Sequence, residues 1–428
     1  MPWALLELVF FADVAVWILT GFLQVSYSLS ATFFAVFYVA LAVTIIRLAG
    51  TRSIPPRHPS TSPFIALSWF WIAMAGVTWG VNLVTSDAST KGAAFDLLIP
   101  LSIALAHLIV WIMPWDRRTW RRVVLVFAVV LMVDVAVSAA TIWLVNVTGR
   151  IPGIAFFLNS RYPVILFHLG AHTYVRTPGI FESGGTNGSF LIIAASVSWA
   201  YALLAPASLA RRSLAAALTF ILSLLVIATL TRRSVLGLLV MLFIIGALAA
   251  LANRRYALVG LLGAALLGGV GVVVFLMPGY FEANTLSERF DSWSQNLNYI
   301  ADLAPWRFVT GYGELQSSVD FTRRGPLALL DNGAVGLLVY GGIFYVGLIY
   351  WFYWKVLRVH LQIFRTKPTH RWKPAAAVGL LGALFVVSQF SVFFTNVTEA
   401  MPCLIGINLF TRHLVEASES EERKVAAA

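Results

Sequence analysis

The chain has 428 residues, 59% hydrophobic and only 11% charged, with a mean hydropathy of +0.83 and a formal net charge of +11. Soluble domains carry about 25% charged residues, so a soluble globular fold is excluded, and the length does not translate into two or three such domains. The single cysteine, Cys403, excludes an intramolecular disulfide framework and a cysteine-based metal site.

Apolar runs close to the roughly 20 residues that the hydrocarbon core requires predict spans at 3–23, 27–46, 64–84, 96–113, 123–145, 187–205, 214–230, 235–251, 257–277, 333–353, 374–396 and 400–415. The first run lacks a basic leader and a small-residue cleavage site, and it reads as a retained span. The last is short and holds Arg412 and His413. The expectation is an all-α, polytopic membrane protein of about twelve transmembrane helices, forming a single transmembrane domain over 1–428.

Basic residues orient such a chain, because short cytoplasmic loops are enriched in Lys and Arg. One set of short loops holds Arg47, Arg52, Arg57, Arg117, Arg118, Arg121, Arg122, Arg211, Arg212, Arg254 and Arg255, then Lys355, Arg358, Arg365, Lys367, Arg371 and Lys373. That side is predicted cytoplasmic, with both termini on it. The positive charge is thereby read as facing anionic membrane lipid, and no nucleic acid partner is expected.

The opposite side has two long segments, 146–186 and 278–332, and long loops are kept where they have a use. They hold Arg150, Arg161, Arg176, Arg289, Arg307, Arg323 and Arg324, against the orientation rule. In the first, an apolar stretch from Ile151 to Val175 is broken by Asn159, Arg161 and Pro163. It is too interrupted for a span, and it is expected to lie in the interface or re-enter the membrane packed on protein.

Guanidinium groups present a rigid donor fork that matches phosphate. Arg232 and Arg233 lie at the outer end of the seventh span, at membrane level, where a lipid diphosphate would sit. Two readings stand for them: contact with a ligand, or snorkelling to headgroups. Arg176 opens the stretch Arg176-Thr-Pro-Gly-Ile-Phe-Glu-Ser-Gly-Gly-Thr-Asn-Gly188, whose glycines allow close backbone approach and whose following helix start offers N–H groups to an anion. An ordinary flexible loop is the other reading. Glu182 is its only acid, either a general base or a partner of Arg176. The second loop ends on Gly311-Tyr-Gly313, Arg323-Arg324-Gly325 and Asp331-Asn332-Gly333.

His168 and His172, four apart, would share a face on a helix and offer a metal two ligands. With only Glu182 as a further ligand nearby, packing or substrate contact is favoured, and no metal site is assigned. His107 is expected to be buried and hydrogen-bonded. Glu7, Asp13 and Asp134 fall in spans and are expected to bond neighbouring helices or face a polar cavity. No P-loop, HExxH or nucleophile elbow is present.

These features together resemble the O-antigen polymerase and O-antigen ligase superfamily of bacterial envelopes, in which about twelve spans carry two long periplasmic loops, after the fifth and ninth spans. Arg176 to Gly188 looks like that family's Arg…Gly-hydrophobic-small stretch before a helix. Thr229-Leu-Thr-Arg232-Arg233-Ser234 looks like its Thr-x-Ser-Arg-small turn, with Thr231 in place of Ser. Gly311-Tyr-Gly313, Asp331-Asn332 and Gly336-Leu-Leu-Val-Tyr-Gly341 look like its closing motif. The ligases resemble one another in a histidine in the second long loop, whereas 278–332 contains none and Asp331 stands at the comparable place. This favours a polymerase. The polymerases' Arg-x10-Gly pattern is not matched strictly, because Asn187 stands where the Gly would fall and Gly188 follows it.

The resemblance implies transfer of a glycan from undecaprenyl diphosphate to a sugar hydroxyl of a second lipid-linked repeat unit, in the bacterial inner (plasma) membrane on its periplasmic side. It implies a diphosphate site at Arg176, Arg232 and Arg233, with Arg323 and Arg324 as further candidates, and Glu182 or Asp331 as general base. No metal or cofactor is required. A flippase and a chain-length regulator are the implied neighbours. The alternatives are a ligase that transfers glycan to lipid A-core and, from another class, a polytopic transporter or flippase of lipid-linked glycan, for which short outer loops and polar span centres are expected instead.

Overall fold

The computed structural model describes residues 62–85, most of 101–111, 117–143, 166–169, 172–175, 177, 179, 184–276, single positions between 291 and 298, 306–311, 333–389, 403–404 and 406–415. The predicted spans 3–23 and 27–46 lie outside these residues. Among them, six helices are long and apolar enough to cross a membrane. The protein is therefore a membrane protein, and the regular structure among the described residues is helical except for one short hairpin.

In chain order the elements are α1 (Ser62–Thr85), α2 (Arg117–Thr141), β1 (Leu166–Leu169), β2 (His172–Val175), α3 (Gly184–Leu204), α4 (Leu209–Ala228), α5 (Arg232–Ala252), α6 (Tyr256–Leu276), the single turn α7 (Arg307–Thr310), α8 (Gly333–Thr366) and α9 (Trp372–Gln389). Further helical residues lie within 101–111 and at 406–415. Helices suit this setting because each satisfies its own backbone hydrogen bonds where no water can.

α3 and α9 form the centre of the described bundle. α3 packs on α4, α5 and α9, and α9 on α3, α5 and α8. Small residues let these helices approach, as packing in lipid favours: Gly237 lies under Val387 and the Ala383 carbonyl, and Gly379 under Met241 and Ile245. α2 shows the inverse patterning of a soluble helix. Val124, Leu125, Val129, Met132 and Val133 are exposed, while Val130, Asp134, Ser138 and Thr141 are buried on one stripe.

A second group of contacts ties α1, the 101–111 residues, α8 and the 406–415 helix through polar side chains. The Trp71 indole N–H donates to the Tyr345 hydroxyl at 2.6 Å, and that of Trp111 to Asn408 Oδ1 at 3.1 Å. His107 is buried with Nδ1 hydrogen-bonded to the Ser68 hydroxyl, as expected for it. Arg412 is buried and donates to the Val110 carbonyl, so a charged residue inside the last predicted span has an acceptor within the bundle.

The structure departs from or extends the sequence reading at three places. The residues between Ile151 and Val175 that are described form a hairpin: β1 and β2 pair antiparallel with His168 opposite Thr173 and His172 opposite Leu169. His168 and His172 thus lie on two strands and share no helical face. The predicted span 333–353 is the first part of a longer helix that runs to Thr366. It is broken at Gly342, whose φ of 72° is open to glycine, and a side chain there would collide with the Val309 carbonyl of α7. Gly184 and Gly185, predicted in the loop 146–186, belong with Gly188 to α3 itself.

Gly342→Ala is expected to lower the thermal midpoint of the detergent-solubilised protein, since a left-handed backbone alone costs a non-glycine residue about 1–3 kcal/mol and the α7 carbonyl leaves no room to relax. Gly347→Ala, which meets open space in the same helix, is the control and is expected to leave the midpoint unchanged.

Candidate functional site

The sequence directs attention to Arg232 and Arg233. Both begin α5 rather than ending the preceding helix: α4 stops at Ala228, the chain turns at Thr229, Leu230 and Thr231, and helix resumes at Arg232. The turn is tight enough to hold Leu230 at φ 50°, a left-handed conformation uncommon outside glycine. Amide hydrogen bonds from Thr229 to Leu225 and from Leu230 to Ile227 finish α4, and Ser234 and Val235 donate to the Thr231 carbonyl to open α5. Two guanidinium groups therefore stand in the first turn of a helix that carries no acid there. Helix starts carry partial positive charge and N–H groups without intrahelical partners, so this is a concentrated electropositive position.

A second helix start meets it. α3 begins at Gly184 with no acid in its first turn, and Gly184 to Ser189 are all buried. Gly185 lies so close to the Arg233 guanidinium that a methyl group there would overlap it. One turn on, Gly188 lies against the Ser234 hydroxyl, with Thr229 Oγ1 also in reach. Glycine at both positions lets α3 come this near to the start of α5 with the Arg233 and Ser234 side chains in their present places.

The α3 start is held from its other side by Asn187, which is fully buried. Its Nδ2 donates to Ser138 Oγ of α2 and to the Thr177 carbonyl, both at 3.1 Å. Thr177 follows Arg176 in the chain. Two residues further, Gly179 turns at φ 61° with its Cα against the Asp134 carboxylate and the Asn187 amide, so that no side chain fits. Asp134 is fully buried. An ionisable group at this depth in an apolar bundle marks a position with a role, and here it meets the turn and the helix start that border the arginine pair.

The cluster keeps hydrogen-bonding capacity in reserve. Among the described residues, Thr177 Oγ1, Asn187 Oδ1 and Ser234 Oγ are buried without a hydrogen-bond partner. Buried polar groups normally have one, so three together suit a site that completes itself with water or with the hydroxyls of a ligand. No three His, Cys, Asp or Glu side chains gather among the described residues.

Of the residues singled out in the sequence, the structure brings Arg233 together with the glycine-rich start of α3, whose Asn187 in turn bonds the Thr177 carbonyl. Arg232 takes the adjoining first-turn position. Arg176, Glu182, Arg323, Arg324 and Asp331 lie outside the described residues. Arg307 opens α7, well separated in the chain from this cluster. Asn187, Ser138, Thr177 and Ser234 were not singled out as site residues, and the available signal was their polarity inside or beside apolar runs.

Asn187→Ala removes two hydrogen bonds and leaves the Ser138 hydroxyl and the Thr177 carbonyl to find other partners, a loss of about 1–3 kcal/mol. A lowered thermal midpoint is expected, together with faster proteolysis between 176 and 183. Gly185→Val is expected to displace the Arg233 side chain from the α3 start, read as a lowered thermal midpoint that the Gly185→Val/Arg233→Ala double variant, in which the space is cleared, recovers. No family model matches this chain, and no curated protein matches it.

Proposed function

We propose that the protein is a membrane glycosyltransferase that polymerises a bacterial envelope polysaccharide, transferring a glycan from undecaprenyl diphosphate to a hydroxyl of a second lipid-linked repeat unit. The observation that carries the reading is the convergence of two helix starts, α3 and α5, on the Arg233 guanidinium at one end of an apolar bundle. Two helix dipoles and two adjacent arginines favour a multiply charged anion at membrane level, and a lipid diphosphate is such an anion.

In this reaction the bond between the anomeric carbon and the diphosphate oxygen breaks. The acceptor hydroxyl oxygen bonds to that carbon, and its proton passes to a base. Negative charge grows on the departing undecaprenyl diphosphate. Arg232 and Arg233, with Arg176 beside them in the scheme, stabilise it most where the charge is developing. Arg323 and Arg324 are further candidates for the same task. Glu182 or Asp331 takes the hydroxyl proton. Thr177, Asn187 and Ser234 offer hydroxyl and amide groups that suit recognition of a sugar. The reading includes twelve spans, periplasmic loops at 146–186 and 278–332, cytoplasmic termini and an inner-membrane location.

The test is an assay of purified protein with undecaprenyl-diphosphate-linked repeat units and no divalent metal. A ladder of products is expected. Arg233→Ala, inserted normally, is expected to slow it by about 10²-fold, the scale for losing one positioned donor to developing charge, with Arg233→Lys recovering only part because its point charge lacks the planar fork. Single transfer to an added lipid A-core acceptor makes the protein a ligase instead. Lipid moved across proteoliposomes without transfer makes it a transporter. Full activity in both Arg233→Ala and Arg176→Ala removes the diphosphate assignment.

A further inference from the structure

The end of the bundle opposite the arginine pair carries a different arrangement of charge. α2, α4 and α9 begin there, and α3, α5, α8 and the 406–415 helix end there. Contacts across it include the Tyr201 ring against Trp372 and the Trp120 ring against His413. Arg121, Arg122, Arg211, Lys355 and Arg371 are all at this end. The only carboxylates among the described residues are Asp134 and Asp291, and Asp134 stands roughly 21 Å along α2 from Trp120 at the helical rise of about 1.5 Å per residue.

Within this surplus of positive charge, two basic side chains from different helices are held together. Lys373, in the first turn of α9, places Nζ 3.2 Å from Nε2 of His413. An ammonium only donates, so His413 Nε2 accepts and its Nδ1 carries the hydrogen. The pair thus retains two ammonium donors, one imidazole donor and a full positive charge. Both residues are half-buried. The His413 ring meets the Trp120 ring edge-on at 4.7 Å, and Lys373 Nζ lies 5.7 Å from the centre of the Trp372 ring. Tryptophan rings of this kind settle at the headgroup level of a bilayer. Lys373 also stands at the positive end of α9, and Arg121 and Arg122 near that of α2, where cations oppose the helix dipole and an anion relieves them.

We propose that Lys373 and His413, flanked by Trp120 and Trp372, form a seat for the phosphate headgroup of an anionic phospholipid. The three remaining donors match phosphate oxygens, the two indole rings border the acyl region, and Arg121 and Arg122 on the adjoining turns of α2 add long-range attraction. The seat joins α2, α9 and the 406–415 helix, so an occupying lipid bridges three helices. This inference is independent of the glycan chemistry proposed above.

Delipidated full-length protein in detergent, titrated with phosphatidylglycerol or with phosphatidylcholine and read by native mass spectrometry, tests it. Tighter binding of phosphatidylglycerol is expected. Lys373→Ala is expected to weaken that lipid about five-fold, the scale of one charge at an anionic surface, with phosphatidylcholine binding and thermal midpoint unchanged. Lys373→Arg is expected to bind nearly as wild type does. His413→Gln, which keeps an acceptor for the lysine, carries the same comparison where Lys373→Ala is poorly recovered. Equal binding of the two lipids overturns the proposal, as does an equal loss in Lys355→Ala, which removes a charge at the same end but outside the seat. Displacement of the lipid by millimolar pyrophosphate assigns the seat to a free phosphate compound and also overturns it. So does binding seen only after truncation behind Val415, which would show that the tail acids Glu416, Glu419, Glu421 and Glu422 occupy it.

Discussion

The approach of α3 to the start of α5 is the constraint on which the candidate site depends. Gly185 and Gly188 remove the side chains that would hold the two helices apart, and Arg233 and Ser234 take the space so released. A methyl group at Gly185 would overlap the guanidinium and displace it from the position that both dipoles reinforce. The chain between α4 and α5 is a turn of three residues, with Leu230 in a left-handed conformation. Local strain of this kind is held by surrounding packing, and it gathers where a side chain has to be presented at a fixed angle.

Polar side chains determine how the helices register against one another, because lipid tails offer no hydrophobic drive for one apolar face to prefer another. Two sets of such contacts stand out among the described residues, beside single pairs such as Ser198–Thr219 and Gln389–Tyr350. At the α3 start, Asn187 joins α2 to the chain after Arg176. Elsewhere Ser68–His107, Trp71–Tyr345, Trp111–Asn408 and His360–Thr411 join α1, the 101–111 residues, α8 and the 406–415 helix. The first set borders the arginine pair and leaves hydrogen-bonding groups in reserve. The second set is spread through an aromatic core, with Phe64 stacked on Trp111 at 4.3 Å, and reads as a structural tie.

Charge divides the molecule along its helix axes. One end gathers most of the described Lys and Arg, and the other has the paired Arg232 and Arg233 with the buried Asp134 nearby. A general excess of cations at one end suits a broad anionic surface, whereas an arginine pair on one helix start that a second helix start meets suits one multiply charged group. The two ends therefore ask for different ligands: membrane phosphate at the first, and a lipid-linked diphosphate at the second under the proposed function.

Sequence by itself determined that this is a membrane protein and where most of its described helices run, because an apolar run of bilayer length is a property of consecutive residues. It also marked Arg232 and Arg233, since a cation pair between two such runs is visible without a fold, and it identified His107 as a buried, hydrogen-bonded group. The tertiary structure decided that the glycines after Glu182 are helix rather than loop, because Gly184 to Gly188 gain their order from α5 and α2 and have little helical propensity of their own. It decided that His168 and His172 stand on a hairpin, where a spacing of four carries no shared face, and that α8 breaks at Gly342 against the α7 carbonyl. Above all it brought Asn187 to Ser138, 49 positions away, and Gly185 to Arg233. Such pairings depend on which helix faces meet, and local periodicity in a chain that is apolar on nearly every face does not encode that choice.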